Sequence, residues 1–325
     1  MIKTYYYFNY IKILIHEILM KEFISKNFDN FYLTGFLLVF TAGLLWSFGA
    51  IIVRYMQDAN LYQPQYLFYR GISIALILCF YLFIKEGKKF YKNFKNIGIS
   101  GIFGGFCLAI AFTGFIFSIT MTTAAVTLFM LAAMPFIAAV VSYFTIKEKL
   151  RLNTFIAMII AFIGVLIMII NDSIGGSALG AILGFVSATG FAVYTVTIRW
   201  RPETPKFTTV VLAGLFCSII SLIIIVSKSM SFSIPTINVY LSLLHGSVVA
   251  SGLILYSLGA KYMPAAELAL LSLMEVVGGI IWVWLPVLGI NEIPSFTTIV
   301  GGSIVTLAVI IHAFGAKKKR LPVTL

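Results

Sequence analysis

The sequence predicts an all-α integral membrane protein of ten transmembrane helices, arranged as two inverted five-helix repeats. Three observations predict it. Of 325 residues, 61% are hydrophobic and 10% charged, and the mean hydropathy is +1.04, outside the range of ordinary soluble domains. Ten apolar stretches of roughly 18–24 residues follow one another, each able to cross about 30 Å of hydrocarbon at about 1.5 Å per residue. They fall into two sets of five, and an odd number per set turns the second upside down relative to the first.

The spans are placed at 32–54, 66–84, 97–116, 120–145, 153–170, 178–198, 208–227, 239–260, 264–287 and 296–315. The two repeats therefore cover 32–171 and 178–316. Residues 1–31 precede them as a cytoplasmic segment with a Tyr-rich run (Tyr5, Tyr6, Tyr7, Tyr10) and an apolar patch, Ile11 to Leu19, too short to span. The segment reads as an interfacial helix or, preferred here, as a stretch whose natural start is Met20. No small-residue cleavage site precedes the first span, so a signal peptide is not expected. Residues 317–325 form a basic tail.

Charge orients the chain. Of 23 Lys and Arg, all but Arg54, Arg70 and Lys228 lie in segments that share one face if the N-terminus is inside. That asymmetry is the positive-inside rule, and it predicts an inner-membrane protein with both termini cytoplasmic. The net charge of +12 then reflects topology and contact with membrane lipids, not nucleic-acid binding.

Internal similarity follows the same division. Trp46-Ser-Phe-Gly-Ala-Ile-Ile-Val-Arg54 aligns with Phe191-Ala-Val-Tyr-Thr-Val-Thr-Ile-Arg199, and Thr123-Ala-Ala-Val-Thr-Leu with Pro264-Ala-Ala-Glu-Leu-Ala. An acidic residue, Glu148 or Glu292, follows each member of the second pair.

With these residues the chain resembles the drug/metabolite transporter superfamily, specifically its EamA-type ten-span carriers, from about Tyr32 to Ala316. The resemblance rests on Gly43-Leu-Leu-Trp46-Ser-Phe-Gly49, Tyr69-Arg70, Ala124 to Pro135 with Glu148, and Ala265 to Glu275 with Asn291-Glu292. The family usually places a proline after the span-nine glutamate; Val276 stands there instead, which puts a kink at that point in question. The resemblance implies transport of a small organic solute, commonly an amino acid or related metabolite.

Ionisable residues inside the bilayer each cost about 2.5–3.5 kcal/mol or more unless paired or hydrated, and so mark candidate sites. Arg70, a turn inside span two, either snorkels to the outer interface or bonds helix-end carbonyls, or it offers its planar fork to a substrate carboxylate or phosphate. Glu275, near the middle of span nine, is the candidate proton-coupling group; otherwise it is a neutral carboxyl bonded to a neighbouring helix. Glu267 is expected to pair with Lys261. His245 reads first as a helix–helix contact and second as part of the substrate site. Trp46, Tyr194 and Tyr256 either stack on a substrate or simply pack, and Trp282 and Trp284 suit an interfacial belt.

Pro135 is expected to bend span four at mid-depth, and Gly278-Gly279 to loosen span nine beside Glu275. These three are the candidate gating positions. Gly101 with Gly105, Gly180 with Gly184, and Ala188 with Ala192 are small-residue pairs suited to close helix approach. The cysteines Cys79, Cys107 and Cys217 lie in spans at unrelated spacings, so neither a metal site nor a disulfide is expected.

No Walker loop, Gly-x-Ser-x-Gly elbow or His-Glu-x-x-His helix occurs, and Lys147-Glu148-Lys149 reads as a cytoplasmic loop. The expectation is therefore no enzyme and no cofactor. The predicted function is secondary-active transport of a small metabolite by alternating access, with proton coupling a further possibility. An uncoupled facilitator or exchanger is the second reading, and a membrane enzyme or lipid flippase the third.

Overall fold

The computed structural model describes residues 31–122, 127, 130–169, 177–201, 203–288 and 295–315. The N-terminal segment, the Thr123-to-Val126 match, Glu292 and the basic tail lie outside them. The regular elements among the described residues are helical: α1 (Phe31–Arg54), α2 (Gln63–Glu86), α3 (Gly98–Met121), α4 (Met134–Ile146), α5 (Leu152–Ile169) and α6 (Ala178–Trp200). Then come α7 (Lys206–Ser227), α8 (Thr236–Gly259), α9 (Ala265–Ser272), α10 (Met274–Trp284) and α11 (Phe296–Gly315). By length and composition six helices can cross a membrane, α1, α2, α3, α6, α7 and α8, while the apolar runs in α4, α5 and α11 are shorter.

Period explains which face of each helix is inside. On α2, Arg70, Ile74, Leu78 and Leu82 recur every four residues and are buried, whereas Leu76, Phe80 and Ile84 on another face are 64–67% exposed. A large exposed apolar stripe is unfavourable in water and at home against acyl chains. Gly87, at φ 61°, ends α2 in a conformation that costs glycine little.

Small residues set the crossings. A Cβ on Gly71 of α2 would lie 2.5 Å from the Gly214 carbonyl oxygen of α7, and one on Gly214 would lie 2.6 Å from that of Gly71. Likewise Gly105 of α3 meets the Thr209 carbonyl of α7, and Gly190 of α6 meets that of Cys107. Helices α3 and α6, α2 and α7, α5 and α11, and α2 and α8 pack extensively. Short-range backbone approach replaces hydrophobic drive inside a membrane.

Spans four and nine depart from the expected continuous helices. The chain turns over Ala132 and Ala133, and α4 starts at Met134 with Pro135 in its first turn. Pro135 therefore opens a helix, where its missing N–H costs nothing, instead of bending one. Span nine is interrupted at Leu273 by a tight turn in which Leu273 N–H bonds Leu270 O and Val276 N–H bonds Leu273 O. The interruption exists without a proline, which corrects the inference from Val276.

Candidate functional site

The two interruptions face one cavity. Leu131 and Met134 beside the first, and Ser272 and Glu275 beside the second, line it together with Trp46, Arg70, Ala111, Phe112, Phe115, Phe191, His245, Val249 and Leu253. Its empty space is about 550 Å³ counting the part open to the outside. Discontinuous helices at mid-depth are a recurring way to present polar groups inside a bundle.

Arg70 does not snorkel. It lies on the inward stripe of α2 at 4% exposure, with its guanidinium carbon 5.0 Å from the centre of the Phe112 ring. Its Nε and Nη1 have no hydrogen-bond partner among the described residues. Glu275, in the first turn of α10, is half-buried and lines the same space. One fixed cation with free donors and one carboxyl thus share a cavity otherwise walled by aromatic and aliphatic side chains.

His245 lies 2% exposed on α8, with its Nδ1 2.5 Å from the Tyr66 hydroxyl, and Tyr66 precedes Arg70 by one turn of α2. Its Nε2 side faces Gly49, where a Cβ would approach to 2.7 Å. His245 is therefore both a helix contact and a cavity residue. Trp46 lines the cavity and donates from Nε1 to the Val249 carbonyl at 3.3 Å. Gly252 gives it room, since a Cβ there would meet the indole at 2.2 Å.

Tyr194 and Tyr256 do not line the cavity. Both are fully buried, Tyr194 Oη 3.3 Å from Ser257 Oγ and Tyr256 Oη 2.7 Å from Thr195 Oγ1. Tyr256 packs on Trp46 and Phe191 at ring separations of 5.4 Å each, so these tyrosines brace the lining residues from behind.

Gly278 and Gly279 pack against α1: a Cβ on Gly278 would lie 2.6 Å from Ser47 Oγ, and one on Gly279 3.3 Å from Ala50 Cβ. Gly278→Leu is expected to cost about 2 kcal/mol of packing and to cut solute turnover, measured at equal expression. Unchanged turnover would remove the α1–α10 approach from the transport cycle. Trp282 does not belong to an interfacial belt; it donates to Ser47 Oγ at 2.7 Å and stacks on Phe48 at 4.4 Å. Trp284 is 45% exposed.

Two polar networks lie at the α4 C-terminal end of the bundle, and sequence reading assigned both differently. Glu267 does not pair with Lys261, which is exposed. It is 1% exposed, accepts from Tyr32 Oη at 2.9 Å, and lies 3.5 Å from Arg151 Nη1 and 3.4 Å from His312 Nε2. Glu148 is not a free loop residue; it pairs with Arg199 and accepts from the Ala265 N–H. Phe112 and Phe115 had no sequence signal that set them apart, whereas Phe191 aligns with Trp46, Ser272 lies in the Ala265-to-Glu275 match, and the Glu267 partner His312 is an ionisable residue inside span ten.

Comparison with known proteins places this geometry. Residues 33–170 match the family model described as EamA-like transporter family. A protein of Clostridium kluyveri named "Uncharacterized transporter" is 24% identical over 238 residues, 70% of this chain and 76% of that one. A solved structure titled "Crystal structure of protein" is 16% identical and superposes with a TM-score of 0.69, covering 87% of this chain and 98% of its own. The first is a likeness over residues 33–170, and the last shows the fold. Residues 33–170 thus resemble the EamA-like transporter family, in a helical chain with six helices long and apolar enough to cross a membrane.

Proposed function

We propose that this protein is a secondary-active carrier of a small organic metabolite, an amino acid or related solute, working by alternating access. The observation that carries the reading is the cavity that holds Arg70 donors unpartnered among the described residues and the Glu275 carboxyl in one space. A zwitterion is complementary to that pair: its carboxylate suits the Arg70 fork, and its ammonium suits Glu275 and the faces of Trp46 and Phe191.

The architecture proposed is ten spans in two inverted repeats, in the inner membrane, with both termini cytoplasmic. Contacts support it, with α9 and α10 counted as one span. The pair α2–α8 has its counterpart in α7–α3. The pair α3–α6 has its counterpart in α8–α1, where Trp46 bonds Val249 and Gly259 abuts Val39. The charge asymmetry along the sequence supports the orientation.

The test compares metabolites inside and outside cells making the protein with those of an empty control. A solute enriched outside identifies an exporter and its substrate; depletion from the medium identifies uptake. No difference across a broad amino-acid panel would count against the substrate class.

Proton coupling is assigned to Glu275. A gradient of one pH unit is worth about 1.4 kcal/mol, about tenfold accumulation per coupled proton. Glu275→Gln is expected to reduce that accumulation to about unity in vesicles while leaving exchange at equal pH. Accumulation that still follows the gradient would remove Glu275 from coupling.

A further inference from the structure

Glu148 follows Lys147, whose left-handed backbone (φ 57°) stops α4 and turns the chain back on the bundle. Its Oε1 accepts from Arg199 Nε at 2.8 Å and from Arg199 Nη2, and its Oε2 accepts from the Ala265 N–H at 3.0 Å. Arg199 Nη1 donates in turn to the carbonyls of Ala260, at 2.6 Å, and Met263. One ion pair thus gathers the ends of α4, α6, α8 and α9.

Those four helices also contribute Met134, Phe191, Leu253 and Ser272 to the cavity. Opening the cavity towards this face has to part the same four ends. Glu148 belongs to the first five-span set and all its partners to the second, so the contact crosses between the halves. The contact lies within reach of water, its side chains being 10% and 21% exposed, so separated partners regain some solvation. At Leu273 the bonding changes to tight turns, Leu273 N–H to Leu270 O and Val276 N–H to Leu273 O, which sets a joint between α9 and the helix that bears Glu275.

We infer that the Glu148–Arg199 pair latches α9 as the cytoplasmic gate, made when the cavity is closed to that face and broken when it opens. The inference rests on the carrier reading. Arg199 and Glu148 are positioning residues, since neither touches the cavity.

The test uses the full chain with Cys79, Cys107 and Cys217 changed to alanine and Ser272→Cys as a reporter inside the cavity. A membrane-impermeant maleimide is applied to each face of oriented vesicles. Glu148→Gln is expected to raise labelling from the cytoplasmic face by about tenfold or more and to lower it from the other face. Glu148→Asp keeps the charge with a shorter reach, serves if the glutamine variant does not fold, and is expected to lie between. An unchanged cytoplasmic rate in both variants overturns the gate, and so does an equal rise from both faces, which reports local unfolding. Labelling from neither face in any variant counts instead against the cavity as a solute path, and hence against the carrier reading.

Discussion

Arg70→Met is expected to lower solute flux by about a hundredfold or more while the protein stays folded. The guanidinium is buried against Phe112, with Nε and Nη1 unpartnered among the described residues. A residue retained for stability would have those donors satisfied, because each unmade bond costs about 1–3 kcal/mol. Methionine fills similar volume without a buried charge, so the thermal midpoint should hold or rise. Transport loses a charge-assisted fork worth about 3 kcal/mol, about a hundredfold in affinity. Arg70→Lys should fall nearly as far, since a point charge does not replace two parallel donors. Flux and melting are read on the same preparation. A lower melting point with undiminished flux per folded molecule would make Arg70 structural.

Gly214→Ala is expected to destabilise the fold by about 2–3 kcal/mol, a large effect for one methyl group. The atoms in its way are the Gly71 carbonyl oxygen at 2.6 Å and the Ala75 nitrogen at 3.0 Å, both backbone, so no side-chain rotation relieves the clash. Gly71 stands in the same relation to Gly214, so α2 and α7 must move apart at their crossing. Gly302→Ala is the control, because a Cβ there meets nothing within 4 Å, and alanine favours a helix by about 1 kcal/mol over glycine. Thermal stability in one detergent measures both. Equal midpoints for the two variants would show that the α2–α7 crossing tolerates separation.

Sequence reading found most helix positions to within a few residues, because twenty apolar residues between polar ones leave little choice. It found Arg70, Glu275, His245 and Trp46 because a polar or bulky group in a span is costly and stands out. It did not find Phe112 or Phe115, two of 29 phenylalanines in helices that are apolar all round. It placed Tyr194 and Tyr256 in the site because their hydroxyl partners, Ser257 and Thr195, sit on other helices and leave no local trace. The break at Leu273 carries neither glycine nor proline, so nothing in its neighbourhood marks it. Glu148 was read as a loop residue because Arg199 lies 51 residues away, and Glu267 was given Lys261 because Tyr32, 235 residues away, leaves no local trace.

Helix α9 has eight residues, and all eight are buried. It packs against α4, α5 and α6, so the opening proposed above has to strip its contacts with α4 and α6 together. Partial displacement would open voids on one side and overlaps on the other, and close-packed interiors resist both. On the proposed gate, its movement is expected to be all-or-none, with few half-open forms between the end states. For a membrane that stores energy as an ion gradient, that scarcity means little slippage: a passage ajar at both ends at once would be a rare event.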